Sequence, residues 1–186
     1  MSNCFKIFII IPTFNEAKNI QSVLGDLKQY NYETVVVDDG SKDNTVQLAK
    51  EKGVKVLQHK INRGQGAALQ TGNDYALAQD ADIIVHFDGD GQFLAEEIKH
   101  LVEPIMYENI DVVLGSRFLR RNKSMPKLKK YLIHPVARII NNIFTKIKLT
   151  DVHCGFRALS RRAAEKIKIM QDGMSHGTEI ISQIKK

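Results

Sequence analysis

The stretch Ile83-Ile84-Val85-His86-Phe87-Asp88-Gly89-Asp90-Gly91-Gln92 joins a mostly apolar run to two carboxylates in a glycine-rich turn. Ile83 to Phe87 read as a strand buried on both faces, as parallel strands are. Asp88 and Asp90 follow at its carboxyl end. Two carboxylates held together there are costly unless a cation sits between them. A hard divalent ion, Mg2+ or Mn2+, is the simplest such partner, because it prefers oxygen ligands. Gly89 and Gly91 let the backbone turn sharply and come close to a ligand. A solvated acidic turn would use the same residues without any function. On this stretch alone the two readings are evenly matched.

On either side, short apolar runs alternate with amphipathic ones. Phe5 to Ile11 predicts a first strand, ending at Pro12-Thr13-Phe14-Asn15-Glu16. Ile20, Val23, Leu24 and Leu27 repeat at helical spacing, so Lys18 to Gln29 predicts a helix with Asn15 as a candidate cap. Thr34 to Val37 predicts a strand that closes on Asp38-Asp39-Gly40-Ser41. Asp43 or Asn44 can cap the next helix, which runs to about Lys52 before Gly53 and a short strand at Lys55 to Gln58. Asn62-Arg63-Gly64-Gln65-Gly66 precede a helix from Ala67 to about Gln79. Beyond the central strand come a helix from Ala95 to Tyr107 and a strand from Asp111 to Leu114, before Gly115-Ser116-Arg117. The pattern predicts a Rossmann-like, doubly wound α/β fold with a mostly parallel sheet flanked by helices. In such sheets ligands bind beyond the carboxyl ends of the strands. Phe14 to Glu16, Asp38 to Ser41, Asp88 to Gln92 and Ser116-Arg117 all fall at those ends, and this convergence favours a site over a solvated turn.

The remainder is less regular. A basic loop from Arg117 leads to a predicted basic amphipathic helix, Lys127 to Lys148. A short strand is expected at Phe156 to Leu159. Two helical stretches finish the chain, with Ser175-His176-Gly177-Thr178-Glu179 between them.

The length of 186 residues suits a single domain, and 43% hydrophobic with 26% charged residues is ordinary for a globular protein. No apolar run approaches the roughly 20 residues that span a bilayer. Lys6 interrupts the first residues, so no signal peptide is expected. Cys4 and Cys154 lack metal-ligand spacing and form no disulfide framework, which predicts a reducing, cytoplasmic setting. The formal charge of +6 points to anionic partners: phosphates, a membrane surface or nucleic acid. No nucleic-acid module is recognisable, so nucleic acid is not expected as a partner. A dinucleotide-dependent oxidoreductase would need a glycine fingerprint after the first strand, and Pro12 to Glu16 offers none. An EF-hand is excluded because Phe93 and Lys99 stand where its glycine and glutamate belong.

Pro12-Thr13-Phe14-Asn15-Glu16, Val37-Asp38-Asp39-Gly40-Ser41, Asn62-Arg63-Gly64, Asp88-Gly89-Asp90 with Gln92, Gly115-Ser116-Arg117 and Gly155-Phe156-Arg157 occur in one order across the chain. In that order and spacing the sequence resembles family-2 inverting glycosyltransferases of the GT-A fold. Within them it is most similar to the dolichyl- or polyprenyl-phosphate hexosyltransferases. The resemblance implies a nucleotide pocket formed by Pro12, Phe14, Glu16, Val37 and Asp39, with Asp88, Gly89 and Arg117 at the diphosphate. It implies a metal face of Asp88, Asp90 and Gln92 carrying Mg2+ or Mn2+, with Asp90 and Arg117 taking part in catalysis. Arg63 and Arg157 rank lower, as arginines that can equally lie on the surface, and Glu179 is a candidate near the acceptor. Glycines at 89 and 91 depart from the family pattern and leave the three metal ligands intact.

The implied reaction moves a hexose from a nucleotide-diphosphate sugar, GDP- or UDP-linked, to a polyprenyl or dolichyl phosphate. A saccharide acceptor, or a relative that binds the donor without turnover, are the alternatives. The basic helix 127–148 suggests peripheral contact with the cytoplasmic face of a membrane. Members of that branch usually continue past the point corresponding to Lys186. The expectation is thus one catalytic domain, 1–186, that lacks the family's C-terminal segment and transfers poorly.

Overall fold

A computed structural model of the chain describes residues 5–116 and 154–184. Six strands form one sheet in the order β3-β2-β1-β4-β6-β5. They are β1 (Ile7–Thr13), β2 (Glu33–Asp38), β3 (Lys55–Gln58), β4 (Ile83–His86), β5 (Val112–Leu114) and β6 (Arg157–Ser160). The helices are α1 (Ile20–Leu27), α2 (Thr45–Glu51), α3 (Gln65–Ala78), α4 (Ile98–Tyr107), α5 (Arg161–Lys166) and α6 (His176–Ile184). A 3-10 turn at Ala95–Glu97 leads into α4.

Alternation along β1 divides the core. Ile9 and Ile11 face one layer with Ile20, Val23 and Leu24 of α1 and Ile98, Leu101 and Val102 of α4. Phe8 and Ile10 face the other, with Ala68, Leu69 and Ala76 of α3 and Ile180 of α6. A period of two in the strands and 3.6 in the helices therefore buries both faces of one sheet. The fit of α3 on β1 is close: a Cβ at Gly72 would collide with the Ile10 side chain. We expect Gly72→Ala to lower stability by about 1–2 kcal/mol, because overpacking outweighs the gain in helix propensity. Urea unfolding measures it; a more stable variant would show that α3 can move off the sheet.

The doubly wound α/β reading holds. β1 pairs in parallel with β2 and β4, and β2 with β3. The strand expected near Phe156 has a place the sequence did not reveal. β6 runs antiparallel between β4 and β5, so the sheet is mixed at that side. Ala158 and Leu159 are fully buried there.

Other expectations are corrected. Asn15 does not cap α1; it lies in the left-handed region (φ 56), and its Oδ1 accepts from the Lys42 amide. The chain turns through Glu16 first, and Asn19 precedes α1. Of the two caps expected for α2, Asp43 is borne out, its Oδ1 accepting from the Thr45 amide, and the Asn44 side chain makes no such bond. His176 to Glu179 form the first turn of α6 rather than a linker between helices. Arg117 and the expected helix 127–148 lie outside the described residues. No helix among the described residues is long and apolar enough to cross a membrane.

Candidate active site

The parallel strands β1, β2 and β4 end together, with Thr13 opposite Asp38 and Ile10 opposite His86. A cleft of about 430 Å³ opens at that edge. Pro12, Phe14 and Glu16 line it from β1, Asp39 from β2, and Asp88, Gly89, Asp90 and Gln92 from β4. These residues, up to 80 positions apart in the chain, converge because parallel strands share one carboxyl edge. Val37 is fully buried in the sheet and does not line the cleft.

Phe14 is 45% exposed and offers an apolar face on which a planar ring can pack. Glu16 is tethered, its Oε2 accepting from Asn19 Nδ2 at 2.8 Å and its amide donating to Thr45 Oγ1 at 2.8 Å.

Asp38 and Asp39 have separate tasks. Asp38 is fully buried, and its Oδ2 accepts from the Ser41 amide at 3.0 Å, closing the turn after β2. Asp39 holds the next wall of the cleft. Its Oδ1 accepts from the Arg63 amide at 2.9 Å and from His59 Nδ1 at 2.7 Å. Its Oδ2 accepts from the Gly64 amide at 2.6 Å. The other ring nitrogen of His59 meets Thr71 Oγ1 on α3 at 2.9 Å. Gly64 adopts φ 109, and a Cβ on it would collide with the Asp172 carbonyl. Only glycine fits both constraints.

Asp88 is half-buried, and Asp90 and Gln92 are exposed. Gln65 Nε2, at the start of α3, donates to Asp88 Oδ1 at 3.1 Å. Asp90 Oδ1 accepts from the Gln92 amide at 3.0 Å, which fixes the turn. The donor set consists of two carboxylates and an amide, the hard oxygen ligands that Mg2+ and Mn2+ prefer. Among the described residues no third His, Cys, Asp or Glu completes a cage. An ion held here takes its remaining ligands from water or a bound phosphate, as Mg2+ commonly does.

Arg63 and Arg157, expected to be similar, differ in the structure. Arg63 is half-exposed and pairs with Asp172 at 3.6 Å. Arg157, read as one that can lie on the surface, is 3% exposed at the start of β6 and lines the cleft. Its Nη2 donates to the Cys154 carbonyl at 3.1 Å and its Nε to the Gly155 carbonyl at 3.3 Å. Burial lowers its pKa, while the charge of Asp88 works the other way.

His176 also lines the cleft, a place that no local signal in the sequence marks. Its Nδ1–H donates to the Gly173 carbonyl at 2.8 Å, which makes Nε2 the acceptor of the neutral ring. Gly66 brings α6 there, since a Cβ on it would press against the His176 Cβ. Glu179, a candidate near the acceptor, does not line the cleft. Its Oε2 accepts from the Met170 and Gln171 amides at 3.0 and 2.9 Å and ties down the chain between α5 and α6.

Burial holds His176 below its usual pKa; the bond to Gly173 and Glu179 oppose the shift and Arg157 adds to it. Burial, then Arg157 and His176, hold His86 well below. Below about pH 6.5 the unfolded histidines take up protons that the folded ones refuse. Stability is therefore present above that pH and is lost on acidification. We expect the melting temperature to fall between about pH 7.5 and 5.5, and less steeply in His176→Asn. Equal slopes would assign the effect to other groups.

A family model described as Glycosyl transferase family 2 matches residues 8–168. The uncharacterized protein MJ1222 of Methanocaldococcus jannaschii is 40% identical over 168 residues, covering 87% of this chain and 68% of that protein. The UDP-N-acetylglucosamine--dolichyl-phosphate N-acetylglucosaminyltransferase of Methanococcus voltae is 34% identical over 177 residues, covering 84% of this chain and 70% of that protein. The polyprenol monophosphomannose synthase of Mycolicibacterium smegmatis is 28% identical, with 88% and 65% covered. The glucosyl-3-phosphoglycerate synthase of Mycobacterium tuberculosis, crystallised with Mn2+, UDP and glucosyl-3-phosphoglycerate, superposes with a TM-score of 0.72 at 22% identity. That match covers 94% of this chain and 63% of the solved one, so the chain spans less than two thirds of the neighbour's length.

Proposed function

The chain belongs to glycosyl transferase family 2, and from that premise we propose that it moves a hexose from a nucleotide-diphosphate sugar to a polyprenyl or dolichyl phosphate with inversion. The observation that carries the proposal is the single cleft in which Phe14, Glu16 and Asp39 stand beside Asp88, Asp90 and Gln92. One end offers a ring face and hydroxyl acceptors for a nucleoside, and the other offers hard oxygen ligands.

In this reading Phe14 packs on the base or ribose, and Glu16 accepts from ribose hydroxyls. Asp39 keeps the Arg63–Gly64 turn against the nucleotide. Asp88, Asp90 and Gln92 hold Mg2+ or Mn2+, which neutralises charge on the leaving diphosphate. Arg117, outside the described residues, adds a planar guanidinium to the phosphates. Inversion needs one in-line displacement, so the protein's work is positioning and charge stabilisation. A lipid phosphate is already ionised at neutral pH and needs no strong base. Residues 1–186 act as one catalytic domain, with peripheral contact to the cytoplasmic face of a membrane through 127–148. The relatives that act on dolichyl phosphate and polyprenol support this choice of acceptor.

A second reading takes a saccharide hydroxyl as acceptor. It is favoured by His176, a neutral imidazole in the cleft wall whose Nε2 could take the proton.

Calorimetry and thermal shift against UDP- and GDP-hexoses, with and without Mn2+, test donor binding. A donor at about 100 times its dissociation constant stabilises by about 2.7 kcal/mol. Sugar transfer to short polyprenyl phosphates in liposomes, beside soluble saccharides, separates the two acceptors. If no nucleotide sugar binds, the proposal fails.

A further inference from the structure

Arg157 is a buried cation, and a buried charge is stable only when paired. The carbonyls of Cys154 and Gly155 each accept one of its hydrogen bonds without neutralising it. His86, opposite it on β4, and His176 carry no negative charge. Among the described residues, Asp88 is the carboxylate whose charge acts on Arg157. The two residues meet through Gly155. Its carbonyl accepts from Arg157 Nε, and a Cβ on it would collide with both carboxylate oxygens of Asp88. Gln65 bounds the same carboxylate from α3.

We propose that Gly155 and Arg157 are positioning residues for Asp88: the glycine sets where the carboxylate lies in the cleft, and the arginine holds that glycine by its carbonyl and places a positive charge behind the carboxylate. The inference rests on the assignment of Asp88 to the cation end of the donor site. It separates the two carboxylates. Asp88 abuts Gly155, whose carbonyl Arg157 holds, whereas Asp90 is exposed. It also gives Gly155-Phe156-Arg157 a task distinct from contact with substrate.

The full chain tests this with Gly155→Ala, Asp88→Asn, Arg157→Met and the double variant Asp88→Asn/Arg157→Met. Calorimetry reads UDP and GDP affinity with and without Mn2+, and melting temperature reads the fold. The clash at Gly155→Ala falls on the movable end of a side chain. We therefore expect that variant to fold and to lose about ten- to a hundredfold in the Mn2+-supported affinity, the usual cost of disturbing a ligand's support. Its affinity without metal should stay at the wild-type level, whereas general damage would lower both. Asp88→Asn and Arg157→Met should each lower the melting temperature, and the double variant should lose clearly less than their sum. Wild-type Mn2+ dependence in Gly155→Ala, or additive losses in the cycle, would overturn the proposal. A wild-type chain that binds neither nucleotide better with Mn2+ would overturn the donor-site reading instead. The thermal cycle would then still decide whether Arg157 holds Asp88.

Discussion

Replacing Asp90 by alanine is expected to abolish metal-dependent nucleotide binding while the fold keeps its stability. Asp90 is exposed, and its one hydrogen bond among the described residues goes to the Gln92 amide two positions away. A surface substitution of this kind usually changes stability by no more than about 0.5 kcal/mol. The cost to the ion is large, because Asp90 is one of the two carboxylates that the Asp88–Gln92 turn itself contains. Losing a ligand's supporting partner costs about 10- to 100-fold in metal affinity, and losing the ligand itself should exceed that. Isothermal titration of UDP or GDP with Mn2+, beside a thermal melt, measures both quantities. An unchanged metal-dependent affinity would remove the ion from this turn.

Asp39→Ala should give the largest loss of stability in the cleft. Asp39 is 3% exposed, and its carboxylate accepts from two backbone amides and the His59 ring. Alanine leaves all three donors without their acceptor. Each buried donor left unmade costs about 1–3 kcal/mol, so a total of roughly 3–5 kcal/mol is expected after some are re-solvated. The Arg63–Gly64 turn would also leave its place, so affinity for nucleotide should fall even without metal. Asp39→Asn keeps one acceptor oxygen and should lie between. Urea unfolding with metal-free titration decides it. An alanine variant as stable as the wild type would show that the turn is held by Arg63–Asp172 and α3 alone.

These two carboxylates look alike in the sequence, each standing just after a buried strand. The fold separates them. Asp90 lies on a turn that leaves the sheet, so its charge remains in water. Asp39 sits where the chain crossing from β3 to α3 passes over the end of β2, so its charge is spent on protein donors. Arg157 makes the same point with opposite sign. In the sequence it is one arginine among many in a basic chain, and its value depends on β6 entering the sheet between β4 and β5.

The sequence by itself determined the alternation of strand and helix through Leu114, the edge at which the polar turns gather, and the family. Those follow from local periodicity and from the placing of turn residues after apolar runs, all of which act within a few positions. Only the tertiary structure decided that β6 runs antiparallel in the middle of one side, and that His176 opens a helix at the cleft. It alone buried Arg157 beside Asp88 and set Glu179 to hold a loop. Each of these depends on contacts between segments far apart in the chain. No local spacing encodes which charge will find a partner once water has been excluded.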